Sequence, residues 1–301
     1  MPDPPHVRNL EDRGAMKDRA PDPLPDFVPP FTREGLEDLY EKWNRREFVH
    51  PDPLEFLYGY SDPGDREIVG ILASCLAYGR VSQVLSSVSR VLERLGPSPR
   101  TFILRHDRRE FRKILEGFKH RFTTGDHLSE LLGGIREAVI RYGSLESFFV
   151  RAWEEADGSL CAALSHFAGR LGCALEGNML VPSPQGGSAC KRLNLFLRWM
   201  VRCDAVDPGG WHRMDPSRLV VPLDTHMHRI ALGMGLTRRR QADWRAVVEV
   251  TEAFAALVPE DPVRYDFVLT RPGIWASHGR SRAGGGGAAL LSKEGLDFAG
   301  D

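Results

Sequence analysis

The sequence has no apolar run approaching the roughly 18 residues that a membrane-spanning helix needs, and its start lacks the pattern of a secretory signal. Cysteine is scarce, with five among 301 residues. The odd number and wide scatter exclude a disulfide framework and suit a reducing compartment. The cysteines also lack the clustered spacing of an iron–sulfur site. We therefore expect a cytoplasmic protein that does not enter a membrane and needs no cofactor.

The chain also lacks a net positive charge, since 40 Lys and Arg residues face 41 Asp and Glu residues. Proteins that bind nucleic acids draw much of their affinity from cations that contact phosphates, so the overall charge does not support that class. Residues 80–121, here called the basic strip, nevertheless hold eleven Lys or Arg and four Asp or Glu. These charges are either solvated helix faces or a surface for a polyanion, and we expect the second for the strip as a whole.

Both ends of the chain offer little material for a core. Residues 1–30 hold eight prolines among many charges, and residues 276–301 are rich in glycine, with four in a row at 284–287. Neither segment can bury enough apolar surface to offset its loss of conformational entropy. We predict a disordered arm at 1–30, a folded region at 31–275 and an unstructured tail at 276–301.

Between these ends, apolar residues recur mainly with the helical period. Alternating strand patterns are few, and no internal repeat is visible. We therefore predict an all-α fold. Helices are expected near Gly35, after the turn at residues 61–65, and over 81–95, 128–142, 145–153, 160–171, 189–201, 225–234 and 244–257.

The most informative segment reads Val-Pro-Leu-Asp-Thr-His-Met-His-Arg-Ile-Ala at residues 221–231. Pro222 disfavours helix in the residue before it, and Asp224 or Thr225 can cap the orphan N–H groups of a helix that follows. On these local grounds, Asp224 either only caps a helix or presents its carboxylate to a functional cleft.

Three blocks of the sequence, at residues 66–84, 188–197 and 222–236, resemble the helix-hairpin-helix (HhH-GPD) superfamily of DNA glycosylases, in that family's order. The chain is most similar to an uncharacterised bacterial branch of that superfamily, with some likeness to 8-oxoguanine DNA glycosylases. The resemblance implies a helical fold of two lobes with a cleft between them. It also implies a catalytic carboxylate at Asp224 and a nucleophilic amine at Lys191, near the start of the second hairpin helix.

The turn between the hairpin helices departs from the family pattern. Members usually have apolar-Pro-Gly-apolar-Gly, whereas here Gly186 and Gly187 are adjacent and Ser188 follows. The resemblance implies that Gly186, Gly187 and Ser188 bind a DNA phosphate, together with Arg192. It also makes the hairpin a candidate site for a monovalent ion.

The chemistry of base removal explains why these residue types are needed. Breaking an N-glycosidic bond develops positive charge on the sugar, which a nearby carboxylate stabilises. Asp224 is the candidate for this role. In bifunctional members an amine attacks the same carbon, displaces the base and forms a Schiff base, from which strand cleavage can follow. Lys191 is the candidate amine, although without the resemblance it would be interpreted as a surface lysine.

A base inside a duplex must be rotated out before an enzyme can reach it, and a side chain has to fill the gap. Tyr78, Gly79 and Arg80 follow the first family-like helix, where related enzymes carry such residues. We expect Tyr78 to enter the stack, Gly79 to let the backbone approach a phosphate, and Arg80 to contact it. The alternative is an aromatic residue packed on the core beside a glycine helix cap. Weaker candidates for the walls of a base pocket are Trp199, Trp211 and Phe267.

Asp224, His226 and His228 could suggest a metal site. Residues two apart on a helix point in different directions, so we predict that these side chains do not converge and that there is no metal site. His226 is interpreted as a structural residue at the helix start. Asp266 can orient a site residue or pair with a nearby Arg, and the ion pair is the favoured interpretation.

The residues and the resemblance together predict a DNA glycosylase of base excision repair. We expect it to act as a monomer, at the nucleoid, on double-stranded DNA with a flipped damaged or mispaired base. By resemblance, an oxidised purine is the favoured lesion and Schiff-base lyase activity is expected. Two alternatives remain: a monofunctional glycosylase in which Asp224 activates water, and a non-catalytic nucleic-acid-binding module in which Lys191 and the basic strip contact phosphates.

Overall fold

The computed structural model describes residues 31–171 and 180–283. The α-helices in these ranges are α1 Arg33–Trp43, α2 Pro63–Cys75, α3 Val81–Leu95, α4 Pro99–Arg105, α5 Arg108–Ile114, α6 Gly125–Tyr142, α7 Leu145–Glu155, α8 Leu160–Leu171, α9 Lys191–Val201, α10 Thr225–Gly233, α11 Trp244–Leu257 and α12 Asp266–Ala283. Short 3-10 helices occupy Arg46–Phe48, Pro53–Gly59, Pro184–Gly186 and Pro216–Arg218. The strands β1 Lys119–His120 and β2 Thr123–Thr124 form a small antiparallel hairpin.

The predominance of helices confirms the all-α prediction. The helices predicted over 81–95, 160–171 and 244–257 are found with these bounds. Their ends follow from local chemistry, since most helices begin at a polar residue that accepts an N–H of the first turn. Thr32 caps α1 in this way, and Asp62 caps α2.

The helical period does not predict α4, α5 or α12. Helices α4 and α5 have seven residues each, which is too short for a clear apolar stripe, and they depend on the caps Ser98 and Asp107. Helix α12 continues to Ala283, past residue 276, where the predicted unstructured tail begins. The predicted arm at 1–30 and the rest of the tail lie outside the described residues.

The helices form two groups joined by α9. Helices α2 and α4 to α8 pack on one another, while α1 and α10 both pack on α12. Helix α9 packs against α2, and a Cβ at Gly70 would lie 3.3 Å from the ring of Phe196, so the absence of a side chain permits this close approach. Among the described helices, none combines the length and apolar character needed to cross a membrane.

A buried ion network fixes the C-terminal half of α9. Arg198 and Arg202 both contact the carboxylate of Asp207, and Arg202 also pairs with Asp204 and Asp261. Burial raises the pKa of Asp207 despite its two guanidinium partners. Removing one partner of a buried pair typically costs about 3–5 kcal/mol, because the other charge is left unpaired. The network therefore fixes the orientation of α9, which begins at Lys191.

Candidate functional site

The N-termini of α9 and α10 bring together the two residues that the sequence singles out. Lys191 is the first residue of α9, and Asp224 is the residue immediately before α10. The Lys191 Nζ lies 2.9 Å from Asp224 Oδ2. The structure therefore places the candidate amine and the candidate carboxylate in direct contact, although 33 residues separate them in the sequence.

Asp224 uses its two carboxylate oxygens for different purposes. Oδ1 accepts the backbone N–H groups of His226 and Met227, as expected of a helix cap, and Oδ2 is left to contact Lys191. Burial by itself would raise the pKa of Asp224, but the Lys191 ammonium and the Met227 N–H outweigh it and hold the pKa below the usual range. Asp224 is therefore an anion at neutral pH, so it both caps the helix and offers a charge to the cavity.

The contact between Lys191 and Asp224 contributes little to stability. About a third of each side chain is exposed, 32% for Lys191 and 33% for Asp224, and pairs of this kind contribute roughly 0–1 kcal/mol. An ammonium at a helix N-terminus also faces the positive end of the macrodipole, which costs about 0.3–1 kcal/mol. The Lys191 ammonium is thus unfavourably placed with respect to the dipole of α9. A contribution to stability therefore does not explain why the pair is present.

The pair borders a cavity of about 350 Å³, the size of a small-molecule site. The cavity lies between the two groups of helices and collects residues from distant parts of the chain. Its lining comprises Pro51, Asp52, Pro53, Ala77, Gly79, Val81, Val84, Lys191, Leu195, Arg198, Pro222, Asp224, His226, Asp266, Phe267, Thr270, Arg271 and Ile274. Apolar walls with a few placed charges are typical of a site that binds a small molecule.

Two further ion pairs contribute to the polar part of the lining. Arg198 contacts Asp266, and Arg271 pairs with Asp52 at 2.8 Å. The Asp266 contact confirms the interpretation of that residue as an ion-pair partner. Burial raises the pKa of Asp266 to about 6 despite the Arg198 guanidinium. The ring of Phe267 lies under both guanidinium groups, with Cζ of Arg271 at 4.2 Å and Cζ of Arg198 at 6.0 Å from its centre.

Sequence reasoning overlooks Arg198, Arg271 and Asp52 as cavity residues. A usable signal exists for Arg198, because it lies seven residues after Lys191 and hence on the same face of α9. Arg271 likewise lies on the face of α12 that carries Phe267. Asp52 has no such signal, since it enters from a turn far away in the sequence.

The three residues proposed as pocket walls have different positions. Phe267 lines the cavity, whereas Trp199 and Trp211 do not. Trp199 follows Arg198 on α9 and is fully buried on another face of that helix, in the core. Trp211 packs against Phe196, with ring centres 5.1 Å apart, and its indole N–H donates to Glu67. Neither tryptophan reaches the cavity, because both side chains are buried in the core.

Tyr78 is held in place as a support for the β-hairpin. Its hydroxyl donates to the carbonyl of His120 at 2.9 Å and lies 2.7 Å from the hydroxyl of Thr123. The His120 ring stands edge-on to the Tyr78 ring with centres 4.7 Å apart. The predicted entry of Tyr78 into a base stack would break these bonds.

Gly79 and Arg80 lie at the exposed end of the same turn. Gly79 has φ of +95°, a conformation that favours glycine, and lines the cavity. A Cβ at Gly79 would lie 2.8 Å from Cδ of Arg121, so the close approach that Gly79 permits is made by this side chain. The predicted approach of a phosphate at Gly79 would therefore place it beside Arg121. Arg80 is exposed just before α3, which is compatible with a phosphate contact.

The turn at residues 186–188, which precedes α9 and is here called the hairpin turn, lies at the surface. Gly186 and Gly187 are exposed, and Gly187 takes the left-handed conformation with φ of +78°. The Ser188 hydroxyl accepts the N–H of Cys190 at 3.1 Å. The Arg192 guanidinium donates to the carbonyl of Cys75 at 3.0 Å, so this side chain is at least partly committed to binding α9 to α2.

A groove adjoins the cavity on the side of the hairpin turn. Its lining comprises Ala77, Tyr78, Phe122, Thr123, His127, Pro182, Ser188, Ala189, Cys190, Lys191, Arg192 and Ala242. Ala77 and Lys191 line both the cavity and the groove, so the two meet at Lys191. On the other side of the β-hairpin, a second depression carries Arg90, Lys119 and Arg121. Neither lining contains Asp or Glu.

The two histidines of α10 do not share a site. His226 lines the cavity, and burial lowers its pKa, so the ring is neutral at pH 7. His228 is buried elsewhere, with Nε2 at 2.9 Å from the carbonyl of Arg239. In the part of the chain that the structure describes, no group of three or more His, Cys, Asp or Glu residues is arranged to hold a metal ion.

The fold and the site together define a helical protein with a Lys–Asp pair beside a cavity. The profile of the family described as protein of unknown function (DUF2400) matches residues 52–275, and the chain belongs to this family. The matched part contains Lys191, Asp224 and every cavity-lining residue except Pro51. No curated protein and no solved structure matches the chain.

Proposed function

We propose that the protein is a DNA glycosylase with an associated lyase activity, acting on a damaged or mispaired base in double-stranded DNA. The observation that carries the proposal is the contact of 2.9 Å between Lys191 Nζ and Asp224 Oδ2 at the edge of the cavity. An amine and a carboxylate at one point are the two groups that base displacement at a sugar carbon requires.

In the proposed reaction, Lys191 is the nucleophile and Asp224 stabilises the developing charge. Lys191 loses a proton, and its amine attacks C1′ of the flipped nucleotide while the bond from C1′ to the base breaks. The base leaves with the bonding electrons and takes up the proton that Lys191 lost. The bond from C1′ to the ring oxygen then breaks, the oxygen takes a proton from the attached nitrogen, and the open-chain Schiff base results. The carboxylate of Asp224 stabilises the positive charge that develops on the sugar as the bond breaks, because the ion is already in place and its pKa is low.

The cavity suits a flipped nucleobase. Pro222, Val84 and Leu195 provide apolar wall, and the pairs Arg198–Asp266 and Arg271–Asp52 provide donors and acceptors at fixed positions. A base is flat and carries hydrogen-bonding groups on its edges, so it complements such a lining. By resemblance, we propose an oxidised purine as the lesion and base excision repair at the nucleoid as the setting.

The surface around the cavity suits a phosphate backbone. The basic strip places Arg80, Arg90, Lys119 and Arg121 on the side of the cavity where Gly79 lies. Other cations of the strip serve the protein itself, since Arg108 and Arg112 both pair with the buried carboxylate of Glu130. A local cluster thus supplies phosphate contacts in a chain whose net charge is −1.

Borohydride trapping tests the proposal. The protein is incubated with duplexes that carry 8-oxoguanine, uracil, an oxidised pyrimidine or an alkylated purine, and Schiff bases are reduced to stable adducts. We expect one lesion to give an adduct that Lys191→Gln abolishes. Lys119→Gln is the matched control, because it removes a cation of the basic strip outside the cavity lining and should lower affinity while adducts still form.

The alternatives give different results in the same experiment. Base release without an adduct, retained in Lys191→Gln and lost in Asp224→Asn, would identify a monofunctional glycosylase in which Asp224 activates water. Duplex binding without adducts or base release, weakened by Lys191→Gln and by salt, would identify a non-catalytic binding module.

A further inference from the structure

Phe122 is an apolar side chain in a place where the core does not use it. Its exposed fraction is 81%, compared with 57% for Ile140 and 39% for Leu104. It occupies the two-residue turn of the β-hairpin, between His120 and Thr123, which pair across the strands. A single exposed apolar side chain is common and by itself indicates no function. What distinguishes Phe122 is its position between a groove and a depression that carry cations.

The turn that carries Phe122 is rigid. Tyr78 bonds to both sides of the hairpin, through the carbonyl of His120 and the hydroxyl of Thr123. The His120 ring bridges Ser87 and the carbonyl of Tyr78, at 2.9 and 3.1 Å. Arg121 has φ of 51°, a left-handed conformation that a side chain adopts only at a cost. These contacts hold the backbone of the turn, so little backbone entropy is lost when Phe122 is covered.

The surroundings of Phe122 favour a polyanion. The groove on one side carries Lys191 and Arg192, and the depression on the other side carries Arg90, Lys119 and Arg121. No acidic residue lines either of them. The Arg121 guanidinium carbon lies 5.7 Å from the centre of the Phe122 ring, so a cation accompanies the aromatic face. Aromatic rings flanked by cations are typical of surfaces that bind nucleic-acid bases and phosphates together.

Phe122 also lies on the path to the cavity. It lines the groove, the groove shares Ala77 and Lys191 with the cavity, and Lys191 contacts Asp224. A duplex that places one nucleotide in the cavity would therefore bring its stacked bases towards Phe122 in the turn of the β-hairpin.

We propose that Phe122 inserts into the base stack of double-stranded DNA at the space left by the nucleotide in the cavity, with Tyr78 as its support. This inference rests on the proposed function, since it names the residue that would hold the duplex open. The specificity that follows is for duplex over single-stranded DNA, because only a duplex has a stack to fill.

Binding to a stable abasic site tests the inference separately from catalysis. Fluorescence anisotropy measures affinity for a labelled duplex with one tetrahydrofuran abasic analogue, for the intact duplex, and for the single strand. We expect the wild-type chain to prefer the abasic duplex. Phe122→Ala should lower that affinity roughly 5- to 100-fold, from the loss of one aromatic stacking contact, and Phe122→Trp should retain most of it.

Controls separate stacking from folding and charge. Ile140→Ala removes another exposed apolar side chain, on α6, and should bind like the wild type. Single-strand affinity should be unchanged in Phe122→Ala. Equal losses on duplex and single strand, or no loss on the abasic duplex, would overturn the inference. The inference is also overturned if light scattering shows that the wild-type chain is a dimer which Phe122→Ala dissociates, while the affinity for DNA stays the same.

The two proposals can fail independently. If no lesion gives base release but Phe122→Ala still loses its preference for the abasic duplex, the glycosylase proposal fails and the insertion of Phe122 stands. If lesions are excised and Phe122→Ala excises and binds like the wild type, the reverse holds.

Discussion

Replacing Asp224 by Asn separates the cap from the charge at the centre of the site. Asn caps helices as well as Asp does, so Oδ1 can still accept the N–H groups of His226 and Met227. Only the charge on the side of Lys191 is lost. The substitution therefore asks whether the carboxylate serves the helix or the reaction.

The structure sets the expected change in Tm and the expected change in the rate of base release. With about a third of each side chain exposed, the ion pair contributes at most about 1 kcal/mol, and about 2–4 °C in Tm accompanies each kcal/mol in a domain of this size. We expect Tm to fall by no more than roughly 4 °C. If the carboxylate stabilises charge on the sugar, single-turnover base release should fall by about 10²–10³-fold, as when one preorganised group is removed from an active site.

Asp243 provides a matched control. It caps α11, accepts the N–H of Ala246, and pairs with Arg239 at 2.7 Å, with 25% of its side chain exposed. It does not line the cavity. Asp243→Asn should therefore change Tm by a similar amount and leave base release intact. Base release reduced less than about tenfold in Asp224→Asn, or equally in both variants, would refute the catalytic role.

Two further predictions concern stability. Asp266 has a pKa of about 6 in the folded chain against an ordinary value of 3.8, so the folded state holds its proton more tightly and the unfolding free energy it contributes falls as pH rises between these values. Asp266→Asn should remove that decrease in urea unfolding across pH 4–6, and an unchanged slope would contradict the assignment. Deleting residues 1–30 should leave Tm unchanged by calorimetry, because Phe31, which contacts Phe254, is retained; a fall of several degrees would contradict it.

The helices could be predicted where the apolar period is long. Helices α3, α8 and α11 begin and end where their patterns do, because each pattern coincides with one buried face. Helices α4 and α5 could not be found in this way, since seven residues hold too few turns to show a stripe. Helix α12 gives no clear helical pattern, because Pro272 and the glycines near its end weaken the local signal.

The candidate site was predicted in its chemistry but only partly in its membership. Lys191 and Asp224 could be named because a resemblance and a capping pattern point to them, and the structure brings them into contact. Trp199 and Trp211 are of a residue type that can line a base pocket, but the rotation of α9 and the packing of Phe196 place them in the core. Residue type does not reveal the face on which a side chain lies.

The sequence by itself determined the elements that depend on near neighbours: the helical class, the caps, and the position of Asp224 immediately before α10. Those follow from local hydrogen bonding and from the spacing of apolar residues. Only the tertiary structure decided that Asp52, Arg198 and Arg271 share a cavity, and that Phe122 stands exposed while Tyr78 supports it. Those depend on how distant helices pack, and the physical reason is that packing is settled by the total fit of many side chains.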